Sequence, residues 1–558
     1  MATGLGFARK PKLPNAGTAA PRARRSRRQL PELILIPQDL RTADPSLFAE
    51  LSAGSFGLAG ATAVLDGRSP FQVTPPSPAW QAALLGFGWL SDLRAANSPD
   101  ADALACQTVD DWLTEAHAGD GPDWQLAIAG RRLLSWLSNA GMLTETAAPD
   151  AVDRFLAGLD IHMRQITEQL QTAKSPDALT AHIAVLTGCL CLTSQDKHFQ
   201  RAVTGLKTEL ARQILPSGGH VNRNPGVTVE LLLDLLPLKQ CFLARERKPP
   251  EWLLVTMQRM AANLRHMQLG DRGLARFNGM AANETDQLAT VLSYHAGAIP
   301  PAEAVASSGY LRLSRRTTTV LADGGMLPPK EFGRQAHAGT LAFEMSSGPA
   351  LVIVNAGAPS PSGQGWRRQS RGTAAHSTLL LNDTASSRLV EAGLDHLAGP
   401  SMAGGKVLEA SDGATEFQGF HNGYEPRYGM THARVLRLSP QGDKLSGSDR
   451  IYYAQRVAAR GRSDLSYSVH FHIHPQASVR YGAEPAMALI TLANGEIWTF
   501  SAFGSKLGLE DSLYFASFTG PTRTVQIVLR GHVLADTQIG WSIERGMPVP
   551  KPRLADPS

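Results

Sequence analysis

From Ala79 onward, apolar residues recur every three or four positions. Trp80, Leu84, Leu85, Phe87 and Leu90 share one helical face, as do Val109, Trp112 and Leu113. A third such stretch runs from Trp124 to Leu137 and carries Arg131 and Arg132. Asp150 offers an N-cap for 151–170, and Ser175-Pro176-Asp177 opens 178–192. Further helices are expected near 197–214, 226–245, 249–268 and 284–296. That makes about nine helices on short loops, an arrangement that closes into a toroid or stacks as an array. Residues 40–75, punctuated by Gly and Pro, give no clear period.

Near Tyr310 the period drops from 3.6 to 2. Leu311-Arg312-Leu313 alternates, and Thr317–Leu321 is β-branched and apolar up to the turn Asp323-Gly324-Gly325. A hydrophobic hairpin is expected over Leu341–Val354. Others join Val435–Leu438 to Leu445, and Ala488–Leu492 to Ile497–Phe500 through Asn494-Gly495. With Thr524–Leu529 as a late strand, the last 230 or so residues read as a large antiparallel β-sandwich. The predicted class is multidomain α+β. A basic arm covers 1–40, an α/α domain 41–303 with its linker near 298–308, a β-sandwich 304–548, and a tail 549–558.

Composition adjusts this picture in two places. At 558 residues, 43% apolar and 18% charged, the chain suits a folded protein of two large domains. Its net charge of +5 is local, because 9–28 holds eight Arg and Lys and no acid; subtracting these eight leaves −3 for the rest. Nucleic acid is therefore not an expected partner of the folded body. The arm reads as a solvated segment, with contact to an anionic surface as the alternative. Leu33–Ile36 is far shorter than a secretory apolar core, and no run nears the ~20 residues of a membrane span. Four cysteines, Cys106, Cys189, Cys191 and Cys241, lack metal-ligand spacing and read as free thiols of a reducing compartment. Cytoplasmic residence is the expectation.

Four clusters bear chemistry. Ser217–Pro225 delivers His220, Asn222, Arg223 and Asn224 to a helix start, a place suited to a carboxylate or sulfate; ordinary capping by Asn224 before Pro225 is the plainer reading. Leu269–Gly279 is dense in turn residues and would form cleft wall at most. In 335–376, His337 and His376 head strand-like runs, Asn355 ends the hairpin, and Arg367, Arg368 and Arg371 lie between. Two imidazoles and an amide oxygen could hold one divalent ion such as zinc, or the histidines are simply hydrogen-bonded. His470, His472 and His474 share one face of a strand, read as a solvent-side polar stripe rather than a metal site. His421, Asn422 and Tyr424, with Tyr428, His432 and Arg434, form a related group.

HAGTLAFEMSSG, LVIVNAG, RGTAAHSTLLLND, HNGY and THARVLRLS, in that order, resemble the C-terminal domain of the heparinase II/III family. SGGHVNRNPGVTVELLLDLLPL resembles the segment that precedes it, so the similarity spans about 80–545. The resemblance implies an incomplete (α/α) toroid followed by an antiparallel β-sandwich, acting as a lyase on uronic-acid polysaccharides. Such elimination needs the substrate carboxylate neutralised, a base for the C5 proton and an acid for the departing O4. Matched to the family pattern, His337 and His376 keep two metal-ligand positions and Asn355 takes the carboxylate's. Gln335 takes a catalytic histidine's place, Val227 the tyrosine's, and the neutralising asparagine falls near Ala181 or His182.

Three functions follow as expectations. The first is a lyase on an acidic polysaccharide or oligosaccharide, with His220, Arg223, Asn224, Gln335 and Tyr424 at the chemistry. Asn222, Arg371 and His421 would grip substrate, and His337, Asn355 and His376 would hold metal. The second is a non-catalytic glycan-binding or envelope-biogenesis protein, with the cell envelope or periplasm as the family's alternative location. The third is a hydrolase using Asp271 and Glu230.

Overall fold

The computed structural model describes residues 30–546 except 116–120, 174, 283–284, 296–306, 361–364, 391–394, 455–464 and 535. The basic stretch 9–28, most of the 298–308 linker and the 549–558 tail lie outside the described residues. The helices follow the 3.6-residue pattern closely: Pro78–Gly86, Pro99–Thr114, Leu126–Ser138, Pro149–Gln169, Ala178–Cys191, Phe199–Gln213, Pro225–Ala244, Glu251–Met267 and Thr285–Ser293. Packed in succession, they build an incomplete (α/α) toroid. Asp150 does not cap its helix. Pro149, whose missing N–H costs nothing in a first turn, starts it two residues earlier, and Asp150 pairs with Arg154 instead. No helix among the described residues is long and apolar enough to cross a membrane.

The arm ends earlier than residue 40. Leu33 and Leu35 pack on the toroid while Ile34 and Ile36 face outward, the alternation of an extended segment. Leu33 bridges Leu192, and Arg41 pairs with Asp234 and Glu230 of the helix Pro225–Ala244. The undetermined stretch 40–75 forms a short helix, Leu47–Ser52, and a hairpin, Ser55–Leu58 with Ala61–Val64, whose Phe56 packs edge-on against Trp80 and Trp89. Cys189, Cys191 and Cys241 are buried, Cys106 is half-buried, and all four are free.

The β half is a sandwich of two antiparallel sheets. One runs Ala403–Glu409, Thr415–His421, Met430–Leu438, Lys444–Tyr453, Asp536–Arg545, Ile497–Phe503, Met487–Thr491, Ser478–Tyr481. The other runs Lys506–Tyr514, Thr522–His532, Ser466–Ile473, Ala350–Val354, Phe343–Ser347, Thr318–Asp323, Tyr310–Arg315. Phe343, Phe471, Phe500 and Trp541 stack between them, Phe471 and Trp541 with centroids 4.8 Å apart. Gly447 lies under the Trp541 indole, where any Cβ would overlap the ring.

The two halves are latched by polar contacts. Arg223 sits at φ +62° and reaches across to Asp323, its Nη2 2.6 Å from Oδ1, while its guanidinium lies 4.4 Å over the Tyr310 ring. Tyr310 returns its hydroxyl to the Arg223 carbonyl at 2.6 Å. Glu344 of the sandwich accepts the Arg276 amide of the toroid at 2.9 Å and the Asn355 amide at 2.8 Å. The Asn278 carboxamide accepts the His337 amide at 3.2 Å. These bonds hold the loop 335–337 at the junction.

Candidate functional site

A cavity of about 310 Å³ opens at that junction. Gly279, Ala281 and Ala79 form its toroid wall; Gln335, His337, Ala358, Pro359 and Ser360 form its sandwich wall. The short helix Arg367–Arg371 closes it with Arg367, Ser370 and Arg371. Every polar group on this lining is a guanidinium, an imidazole, an amide or a hydroxyl. An anion placed there would meet complementary charge.

Each group is held differently. Arg371 is buried, with Nε donating to Ala336 O at 2.9 Å and Nη2 to Gly333 O at 3.3 Å; burial, then Arg367, makes it a weaker base than usual. Arg367, partly exposed, meets Asp395 at 3.4 Å and Arg334 O at 2.9 Å. Gln335 is exposed; its Oε1 accepts from Asn224 Nδ2 at 3.2 Å, which leaves its NH2 toward solvent.

The two histidines form a dyad. His376 Nδ1 lies 2.8 Å from the Gly372 carbonyl, which only accepts, so Nδ1 carries the proton and Nε2 the lone pair. His337 Nδ1, 3.1 Å from that Nε2, must donate to it. His337 Nε2 is then a bare lone pair, with no hydrogen-bond partner among the described residues. Burial, then His376, Arg371 and Arg367, hold the His337 pKa well below the usual imidazole range. His376 is pushed down to about 4, chiefly by burial. Both rings are neutral at pH 7.

These bonds test the expected metal set. His376 has spent its lone pair, and His337 Nδ1 is protonated. Asn355 Oδ1 accepts the Ser377 amide at 3.0 Å, and its Nδ2, buried without a partner, can only donate. Free lone pairs remain only on His337 Nε2 and Asn355 Oδ1, fewer than the three protein ligands zinc takes, so His337, Asn355 and His376 do not fit zinc as a set. Dialysis against a chelator is expected to leave Tm unchanged. A fall of several degrees that zinc reverses would reinstate the metal.

The other sequence candidates go elsewhere. His220 Nε2 donates to Gln213 Oε1 at 2.7 Å and Nδ1 accepts the Asn222 amide at 3.1 Å; burial lowers its pKa to about 4. It lines a separate small void with Arg223 and Asn224. Asn222 closes an Asx turn onto the Asn224 amide, and Asn224 caps its helix through the Gly226 amide, each at 2.9 Å. Arg223, spent on Asp323, does not grip a ligand. Tyr424 is buried and donates to Leu379 O at 2.6 Å, which removes it from any chemistry. His421 is buried in the sandwich against His432 at 3.2 Å. His470 and His472 are not solvent-facing: they bond to Gln526 and Ser468, and to Ser512 and Ala374 O. Asp271 closes a turn on Gly273 while Glu230 pairs with Arg41, so they make no acid pair. Gly279 alone of the 269–279 loop serves as cleft wall, as its turn chemistry suggested. Ser360, Ser370 and the small residues of the toroid wall gave no signal in the sequence.

Residues 299–542 match the family model described as heparinase II/III-like, C-terminal. The β half is a heparinase II/III-like C-terminal domain. Over the toroid as well, the fold is similar to that of solved heparinases. A solved heparinase III superposes with TM-score 0.67 over 88% of this chain and 80% of that one, at 12% identity. A mutant heparan sulfate lyase from Pedobacter heparinus gives 0.62 over 91% and 84%, at 14% identity. FtsZ-localized protein C of Caulobacter vibrioides is 28% identical over 91% of this chain and 89% of its own length. The family match is thus to the β half, and the whole chain shares its fold with the solved heparinases.

Proposed function

We propose that the chain binds an acidic glycan in the junction cavity and retains it without β-elimination. The composition of the lining carries this reading. Arg367 and Arg371 supply charge for a carboxylate or sulfate, and Gln335, Ser360 and Ser370 supply hydrogen bonds for hydroxyls. No phenol or carboxylate lines the cavity among the described residues, and the position resembling the family's tyrosine is Val227. His337 is the single lining group able to take a proton, and its depressed pKa makes it a poor base for a weakly acidic C5–H.

Titration calorimetry against hyaluronan, chondroitin, heparosan, alginate and polygalacturonate oligosaccharides is expected to find saturable binding to at least one. Absorbance near 230 nm should stay flat. Arg367→Ala should weaken binding about tenfold, the loss of one charge-assisted contact. Steady growth of the 230 nm signal would replace this reading with lyase activity; no binding across the panel would remove it.

A second reading comes from the relative named for FtsZ localisation: this chain too would localise with FtsZ, in the cytoplasm, where free thiols persist. Co-sedimentation with FtsZ filaments tests it. The basic stretch 9–28 would add contact with an anionic surface, which sedimentation with anionic vesicles tests.

A further inference from the structure

Trp366 is 42% exposed, and it is the one tryptophan among the exposed large apolar side chains of the described residues. An indole so placed keeps an apolar ring surface open to a ligand. Its surroundings are ordered by the same two segments that build the cavity. On one side it immediately precedes Arg367 and occupies the N-cap position of the helix that supplies Arg367, Ser370 and Arg371. On the other it packs against Phe515, with centroids 5.8 Å apart and planes tilted 38°. Phe515 is buried, and its amide donates to Ala356 O at 2.7 Å, two residues before the cavity-lining Ala358. Phe515 backs part of the indole and leaves the rest open beside the cavity's charged wall.

Pyranose rings offer the complement: a face of axial C–H groups that packs on an aromatic plane, with hydroxyls projecting sideways to water. We propose that Trp366 is a sugar-stacking subsite, which takes the ring adjoining the one whose acid group lies against Arg367. The inference rests on the acidic-glycan reading and deepens it, since it makes the ligand a chain of at least two rings running from the cavity across the Arg367–Arg371 helix. A free small anion would gain nothing from the indole.

The test uses the full chain and the panel member bound best above, as oligosaccharides of one to six rings. Wild-type affinity is expected to rise about tenfold between one ring and two or more, with a change in tryptophan fluorescence on binding. Trp366→Ala should keep the one-ring affinity and lose the increment, while Trp366→Phe should retain most of it. Because the side chain is only partly covered, by Phe515, Tm should fall by no more than a few degrees in either variant. If Trp366→Ala binds every length like wild type while Arg367→Ala fails, the subsite is refuted and the cavity reading stands. If wild type binds no oligosaccharide of any length, both fall.

Discussion

Acidified from pH 7.5 to pH 5, the protein is expected to lose at least about 4 kcal/mol of folding stability, by the following balance of buried groups. His220 and His376 are held to about 4 and His472 to about 3, in each case first by burial. All three are neutral and hydrogen-bonded in the fold, whereas in the unfolded chain they take up protons near 6.5. A depressed folded pKa gives stability that is complete above about 6.5 and drains away as pH falls towards the folded value. At pH 5 each group has given up about 2 kcal/mol, so the three together give up about 6. Glu344 runs the other way. Burial raises its carboxyl to about 7 against the opposing pull of Arg276, so the folded state is penalised as pH rises from about 4.5 to 7. Acidification returns about 2 kcal/mol of that. His337 and His421, also held well below the usual range, and His266 and His474, held to about 4 by burial, add to the loss. Against a typical total of about 5–15 kcal/mol, acid unfolding should set in well above pH 4. Urea unfolding at pH 7.5 and pH 5 measures the difference. Equal or greater stability at pH 5 would mean that these imidazoles are already protonated in the fold.

The architecture was legible because both halves obey simple periods. Helix positions follow the 3.6-residue recurrence to within a few residues, and the alternation after Tyr310 marks the strands that form. The site was legible only in outline. Two histidines in 335–376 were expected to meet, and they do, each ring bonded to the other. That outcome depends on which lone pairs Gly372 O and the Ser377 amide consume, and spacing along the chain cannot express that. Arg223 misled for a similar reason. An arginine beside a helix start looks like an anion site until Asp323, a hundred residues later, is known to lie 2.6 Å away. His421 and Tyr424 were drawn in as members of the HNGY motif, although the sandwich core absorbs both.

Removal of the Asp449 carboxylate is expected to destabilise the sandwich by about 3–5 kcal/mol, because it strands a buried cation. Arg434 and Asp449 are both fully buried; Nε lies 2.7 Å from Oδ1 and Nη2 3.1 Å from Oδ2. The carboxylate also accepts Trp541 Nε1 at 3.0 Å and His432 Nε2 at 2.8 Å. His432 Nδ1 in turn accepts from His421 Nε2, whose ring takes the Gly423 amide on its other nitrogen. Every proton in this chain has one place to go, and Asp449 is its only terminus. Asp449→Ala therefore leaves an imidazole and an indole without an acceptor and a buried guanidinium without its counter-charge. Arg434→Met with Asp449→Leu, which removes both charges at similar volume, should recover the part due to the stranded cation, while His432 and Trp541 still lack their acceptor. The consequence reaches the cavity, because Arg434 Nη1 donates to Leu341 O and Ser377 O, both at 2.8 Å. Ser377 follows His376, so the ion pair in the core anchors the strand that positions the dyad. Asp449→Ala should accordingly lower Tm and weaken oligosaccharide binding together. The double variant should restore Tm more fully than affinity, since methionine cannot hold the Ser377 carbonyl. Equal recovery of both would mean that the dyad's position does not depend on Arg434.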